Sequence, residues 1–243
     1  MCAAVRVAGR RAAGSRRGHA CCGCEESGGA DSRGVGWGEG CGIGCRPPRR
    51  IPLSRQNGED EMVQYVTRSE LRSMATRNLA QGKAKVAKAE NRSSTGMTFL
   101  SHSSSDDELM PAVVLILENH GATVYLDKLD NSLAAMEIKD IASSLRTKIS
   151  SAKKFILFAS QSVKGSKWVP WELGLADGYK GPRNVAIFPA PENMQETAWS
   201  EQEYLGIYDR VVWGQITGDT DPGWLVWDHS KNSAVHLRTW LAR

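Results

Sequence analysis

Lysine is missing from the first 61 residues, although ten arginines stand there, and cysteine is missing from everything after residue 45. Cys2, Cys21, Cys22, Cys24, Cys41 and Cys45 share that opening segment with 13 of the 24 glycines. The bulk of the chain therefore has neither a disulfide framework nor a thiolate metal site. In principle, thiolates spaced as Cys21-Cys22-Gly23-Cys24 and Cys41 to Cys45 form a tetrahedron. The segment nevertheless lacks the apolar periodicity to pack around a metal, and none is expected. Arginine, glycine, alanine and cysteine without lysine are what GC-rich DNA yields in any reading frame. Just ahead of Met62, Asn57-Gly58-Glu59-Asp60-Glu61 permits a purine-rich codon tract resembling a bacterial ribosome-binding site. Translation is accordingly expected to begin at Met62, with residues 1–61 a disordered or untranslated extension.

Other absences narrow the function. No apolar run approaches the roughly 18 residues of a membrane span, and the N-terminus lacks the apolar core of a secretory signal, so a cytoplasmic protein is expected. Neither a Gly-x-Gly-x-x-Gly nor a Gly-x-x-x-x-Gly-Lys motif occurs, which argues against a Rossmann dehydrogenase or a P-loop NTPase. Excess charge is also lacking: beyond residue 61 there are 21 basic and 20 acidic side chains, so the basic isoelectric point does not indicate a nucleic-acid partner. His229 and His236 lack the partner spacing of a metal site.

What is present, from Met97 on, is alternation. Thr98–Ser101 is a short apolar strand, followed by a polar turn and a helix from Asp106 with Leu109, Val113 and Leu117 on one face. Strands follow at 122–126, 155–158, 185–188 and 210–213, with a helix at 136–151 between the second and third. The run at 155–158 is wholly apolar, as a central parallel strand requires. Such alternation predicts a doubly covered α/β parallel sheet with ligands at the carboxyl ends of its strands. Three polar groups fall at that edge: Ser101 to Ser105, Asp127, and Ser160 to Trp168. A small extra strand at 224–227 and a closing helix at 234–242 are expected after it. Before the domain, Thr67-Arg68-Ser69-Glu70 has the capping-box form and predicts a short helix to about Leu79. Residues 81–95, rich in Lys, Ala, Ser and Gly, read as a solvated linker or a marginal helix continuation, with Lys83, Lys85 and Lys88 a solvated charge run. The expected organisation is thus an extension (1–61), a helix and linker (62–96) and one domain (97–243).

The third helix carries the chemical proposal. Ser166 is a good N-cap, Pro170 falls where no intrahelical N–H is needed, Lys180 faces a negative helix pole, and Gly181-Pro182 ends the helix. Trp168 and Glu172, four apart, place an aromatic plate one turn before a carboxylate. A bland reading stands beside this one: the helix dipole alone favours a glutamate there, and tryptophans often pack in cores.

Phe99-Leu100-Ser101-His102-Ser103-Ser104-Ser105-Asp106, Val124-Tyr125-Leu126-Asp127 and Ser166-Lys167-Trp168-Val169-Pro170-Trp171-Glu172 resemble the first box, second strand and third-helix motif of Toll/interleukin-1 receptor (TIR) domains, particularly bacterial stand-alone ones. The resemblance covers about residues 97–213. It implies a flavodoxin-like fold with a five-stranded parallel sheet ordered 2-1-3-4-5. It further implies either an enzyme that cleaves the nicotinamide–ribose bond of NAD+ or a non-catalytic scaffold for assembly. For the enzyme, the resemblance makes Glu172 catalytic and places Ser103, Asp127 and Trp168 against the substrate, with NAD+ as substrate and no cofactor. Ser103 is otherwise a turn hydroxyl and Asp127 a strand-ending turn residue. Trp171 is expected to pack, and His102 shows no proton-transfer partner. Self-association or pairing with other TIR domains, and a setting in signalling or antiviral defence, are implied in the same way.

Overall fold

The computed structural model describes residues 63–127, 137–193, 196, 203–216 and 219–243, so the expectations for residues 1–61 lie outside the described residues. Among the described residues there are eight strands: β1 (Val63–Gln64), β2 (Thr98–Ser101), β3 (Val124–Leu126), β4 (Lys154–Ala159), β5 (Val185–Pro189), β6 (Asp209–Gly214), β7 (Gly223–Asp228) and β8 (Ser233–His236). The helices are α1 (Arg68–Arg77), α2 (Leu79–Glu90), α3 (Met110–Asn119), α4 (Ile138–Ser151), α5 (Val169–Lys180) and α6 (Leu237–Ala242).

Five strands run parallel in the spatial order β3-β2-β4-β5-β6, which is the expected 2-1-3-4-5 arrangement. The sheet is wider than these five, and the small extra strand expected at 224–227 is β7. β7 and β8 extend it antiparallel beyond β6. β1 also pairs antiparallel with β6, at Val63↔Gly214 and Gln64↔Trp213, past the point where β5 pairing ends at Arg210. The closing helix expected over 234–242 is therefore corrected. Its first residues form β8 against β7, in register Val226↔Val235, and only Leu237–Ala242 is helical. Unpaired backbone on the β7 edge outweighs the local helical pattern there.

Strand periodicity sorts the core into two faces. Leu100, Leu126, Ile156, Phe158 and Phe188 face one cluster with α1, α2, α3 and α6. Phe99, Tyr125, Phe155, Leu157 and Ile187 face the other, with α4 and α5. Phe99 stacks on Phe155 at 5.5 Å between ring centres. The helix expected from Asp106 begins instead with a 3-10 turn, Ser104–Leu109, and becomes α-helical at Met110.

The helices ahead of β2 explain why α3 looks as it does. Every residue from Met110 to Leu117 is buried, so α3 is apolar on all sides and needs cover on its outer face as well. α1 and α2 supply that cover. The stretch read as a solvated linker or marginal continuation is helix α2 through Glu90, with Gly82 and Ala89 buried. Nor is Lys85 a purely solvated charge: it pairs with Glu118 at 2.7 Å, and Arg92 also reaches Glu118 and donates to the Val124 carbonyl at 2.9 Å. Burial would raise the Glu118 carboxyl, but the Lys85 and Arg92 hydrogen bonds outweigh it and hold the group below its ordinary value. The capping box at Thr67 and Glu70 forms as expected.

Gly82 is where α2 crosses α3. A Cβ added there would lie 2.7 Å from the Pro111 Cβ, a rigid ring that cannot rotate away. Gly82→Ala is expected to destabilise the protein by about 1–3 kcal/mol, because overpacking exceeds the roughly 1 kcal/mol that alanine gains in helix propensity. Urea unfolding measures the difference; an unchanged or raised midpoint would show that the two helices can move apart freely.

Candidate functional site

The carboxyl ends of β2, β3 and β4 converge with the start of α5. On β2, Phe99 and Ser101 share a face by the two-residue period, so Ser101 lies under α5 rather than toward α3. Its Oγ donates to Oε2 of Glu172 at 2.5 Å, in a fully buried contact between residues 71 apart. Glu172 is only 6% exposed. Its carboxylate thus points inward at the strand ends and not into bulk solvent.

α5 begins at Val169, two residues later than a Ser166 cap implies. The N-cap is Trp168 and not Ser166 as expected; Ser166 lies two residues ahead of the cap, its Oγ accepting from the Val169 N–H at 3.2 Å. Trp168 already has helical backbone angles, and its carbonyl accepts from the Glu172 N–H at 2.8 Å. The aromatic and the carboxylate are therefore one turn apart. Trp168 is half-buried and meets Trp171 edge-to-face at 5.5 Å; the Arg146 guanidinium lies 5.2 Å over the Trp171 ring. Trp171 packs, as expected. At the far end, Gly181 has φ 70°, a value an L side chain adopts rarely, and Pro182 prevents continuation. Lys180 faces a negative helix pole, but that of α4: its Nζ donates to the Ala152 carbonyl at 2.5 Å.

Asp127, directly after β3, accepts from the Lys148 ammonium of α4 at 3.0 and 3.2 Å. It is more than a turn residue, since it anchors the end of β3 to α4. Burial would lower the Lys148 ammonium, but the Asp127 hydrogen bond and charge outweigh it and hold the group charged above its ordinary value. The Tyr125 hydroxyl lies within reach of Lys148; burial and then the Asp127 charge push this phenol up, with Glu172 adding to the shift. Two polar groups lie along this edge, Ser101 with Glu172, and Tyr125 and Asp127 with Lys148. The structure brings Glu172 and Trp168 together as expected and adds Ser101, which the sequence reading did not single out. The available signal was its two-residue spacing from Phe99.

Ser103 stands at the start of the 3-10 turn, half-buried. Its hydroxyl makes no capping bond, and its carbonyl accepts from the Asp106 N–H at 2.8 Å. His102 does have a partner: its Nε2 lies 2.9 Å from Asp107 Oδ1. Asp106 is fully buried and accepts from Ser160 Oγ at 2.7 Å, from Ser162 Oγ at 3.4 Å and from the Arg68 guanidinium of α1. Arg68 also reaches Glu192 at 3.1 Å, and its backbone N–H donates to the Pro191 carbonyl at 2.9 Å. One arginine thereby ties together the loops that follow β2, β4 and β5.

A sequence profile of the TIR domain matches residues 98–218. A protein of Bacillus cereus (strain MSX-D12), ThsB', named a probable 3' cyclic ADP-D-ribose synthase, is 35% identical over 146 residues, covering 59% of this chain and 74% of that relative. The chain belongs to the TIR domain family. The profile spans β2 to just beyond β6, so the TIR core carries Ser101, Asp127, Trp168 and Glu172, while α1 and α2 lie ahead of it. No helix among the described residues of this TIR protein is long and apolar enough to cross a membrane.

Ser101→Ala tests the buried contact under Glu172. A hydrogen bond to a charged group is worth about 1.5–3 kcal/mol, so losing it is expected to lower any turnover that depends on a fixed Glu172 by roughly 10–100-fold. KM should change little, because Ser101 is sealed from any ligand. Turnover equal to that of the unmodified protein would show that Glu172 holds its position without Ser101.

Proposed function

We propose that this TIR protein cleaves the bond between nicotinamide and ribose in NAD+, releasing nicotinamide and forming ADP-ribose or a cyclic isomer of it. The carrying observation is Glu172, an inward-facing carboxylate held by Ser101 and one helical turn from Trp168, at the carboxyl edge of the sheet. The name of the Bacillus cereus relative, a probable 3' cyclic ADP-D-ribose synthase, supports the reading. The C1'–N bond breaks with its electron pair going to nicotinamide, which leaves neutral, so no general acid is needed. Positive charge then develops on the ribose, and the fixed Glu172 carboxylate stabilises it. An oxygen of water, or a hydroxyl of the same molecule, forms the new bond to C1' and releases a proton. Trp168 borders the ligand, Ser103 offers a hydroxyl to it, and Asp127 acts through the Lys148 pair. Action as a self-associated assembly, in signalling or antiviral defence, belongs to the same proposal.

A second reading, a non-catalytic assembly module, has one observation of its own. Ile138, Ile207 and Tyr179 are large apolar side chains exposed by 74, 66 and 53%. Incubation of the full chain with NAD+ at high protein concentration, with nicotinamide and ADP-ribose products followed by mass, separates the two. Release by the native chain supports the enzyme, and none despite demonstrated self-association supports the module.

A further inference from the structure

A cavity of about 610 Å³ opens at the end of the sheet opposite Glu172. Its wall is built at the amino ends of parallel strands: Lys154 opens β4, Asn184 leads into β5 and Asp209 opens β6, with Arg183, Trp240 and Arg243 beside them. Lys154 is 2% exposed, and no other lysine or arginine among the described residues is buried. Its ammonium donates to Asn184 Oδ1 at 2.7 Å and lies 4.5 Å from the Trp240 ring centre. An ammonium has three donors, and among the described residues Lys154 has no carboxylate partner. Arg183 and Arg243 likewise form no ion pair among the described residues. Of the carboxylates on this wall, Asp228 is taken by Lys231 at 2.6 Å, leaving Asp209. The Trp240 Nε1 donor is buried without a hydrogen-bond partner. A buried cation without a counter-charge is destabilising, and a bound anion removes that penalty.

We propose that this cavity is a second ligand site, for a phosphate-bearing small molecule of nucleotide size, with the phosphate held by Lys154, Arg183 and Arg243. The volume lies within the roughly 300–1,000 Å³ of small-molecule pockets. Charge-assisted bonds from an ammonium and two guanidinium groups suit phosphate oxygens, and Val226 and Val235 give an apolar wall for a base. Burial depresses the Lys154 ammonium, with Lys153 and Arg243 adding to the effect, so an arriving anion would strengthen its charged form. The site lies at the other end of the strands from Glu172, and its occupant does not compete with a ligand there.

The test is calorimetric titration of the full chain with AMP, adenosine and inorganic phosphate. Lys154→Met keeps the side-chain stem against Trp240 and removes the charge; Arg183→Ala alters an exposed residue and leaves the fold alone. AMP is expected to bind the native chain and to be displaced by phosphate. Both variants should bind it at least 10-fold more weakly, and Glu172→Gln should bind it unchanged. The proposal is overturned by no AMP binding at about 10 mM, the weak end of specific affinity. Equal binding in both charge variants, adenosine binding as tightly as AMP, or loss of binding in Glu172→Gln would overturn it too. None of these outcomes depends on NAD+ cleavage.

Discussion

Glu172→Gln is expected to abolish NAD+ cleavage by about 10³-fold or more, roughly 4 kcal/mol of transition-state stabilisation, while leaving the fold intact or slightly more stable. The variant isolates charge from shape. Glutamine has the same volume, and its amide oxygen still accepts the Ser101 hydroxyl that Oε2 accepts at 2.5 Å. What disappears is a negative charge only 6% exposed, and burying an ionised carboxylate works against folding. A residue kept for stability would lower the unfolding midpoint when neutralised; a residue kept for function lowers turnover instead. Steady-state nicotinamide release and thermal unfolding of the same preparation read both quantities. Turnover within about threefold of the native chain would remove Glu172 from the chemistry, since that change is under 1 kcal/mol.

Arg68→Ala is expected to destabilise the protein by about 3–5 kcal/mol, the range for removing one partner of a buried ion pair. The Arg68 side chain is 13% exposed and Asp106 is 0% exposed, so the substitution leaves a sealed carboxylate with only the Ser160 and Ser162 hydroxyls. Exposed pairs on the same helix behave differently. Arg72 and Glu108, at 47 and 53% exposure, should be worth well under 1 kcal/mol despite a 2.6 Å contact. Urea unfolding of Arg68→Ala, Arg72→Ala and Arg68→Ala with Asp106→Asn makes the comparison. Asp106→Asn removes the orphaned charge, so it should restore part of the stability lost with Arg68. A loss no larger than that of Arg72→Ala would mean that the Asp106 loop is held by its serines alone. Because the Arg68 guanidinium also holds Glu192, the same variant is expected to loosen the rim beside Glu172, although its backbone bond to the Pro191 carbonyl remains.

Local patterns were legible where neighbours in sequence are neighbours in space. The capping box at Thr67, the Gly181-Pro182 stop, the buried run of β4 and the one-turn spacing of Trp168 and Glu172 all involve residues a few positions apart. The two-faced core follows from the same short-range periods. α2 was legible only as one of two alternatives, a linker or a helix continuation, because its sequence has little apolar character of its own. It is a helix in the structure because α3, apolar on every side from Met110 to Leu117, needs a second cover. The signal lay in α3, some thirty positions away. At 234–236 a helical pattern gave way to a strand, because the β7 edge had backbone bonds to satisfy.

From its residues alone the chain determined the alternation, the doubly covered parallel sheet and the phase of the glutamate on its helix, while the 2-1-3-4-5 order of the strands rested on the resemblance to TIR domains. These depend on side-chain period and on the handed crossover of strand to helix, which act over one element and its successor. Only the tertiary structure decided that Ser101 lies beneath Glu172, that Asp127 is drawn to Lys148, that Lys180 serves the end of α4, and that Arg68 bolts the rim of the sheet. Those partners are 21 to 71 positions apart. Which charge meets which at that separation is set by how the layers pack, and no local pattern encodes it.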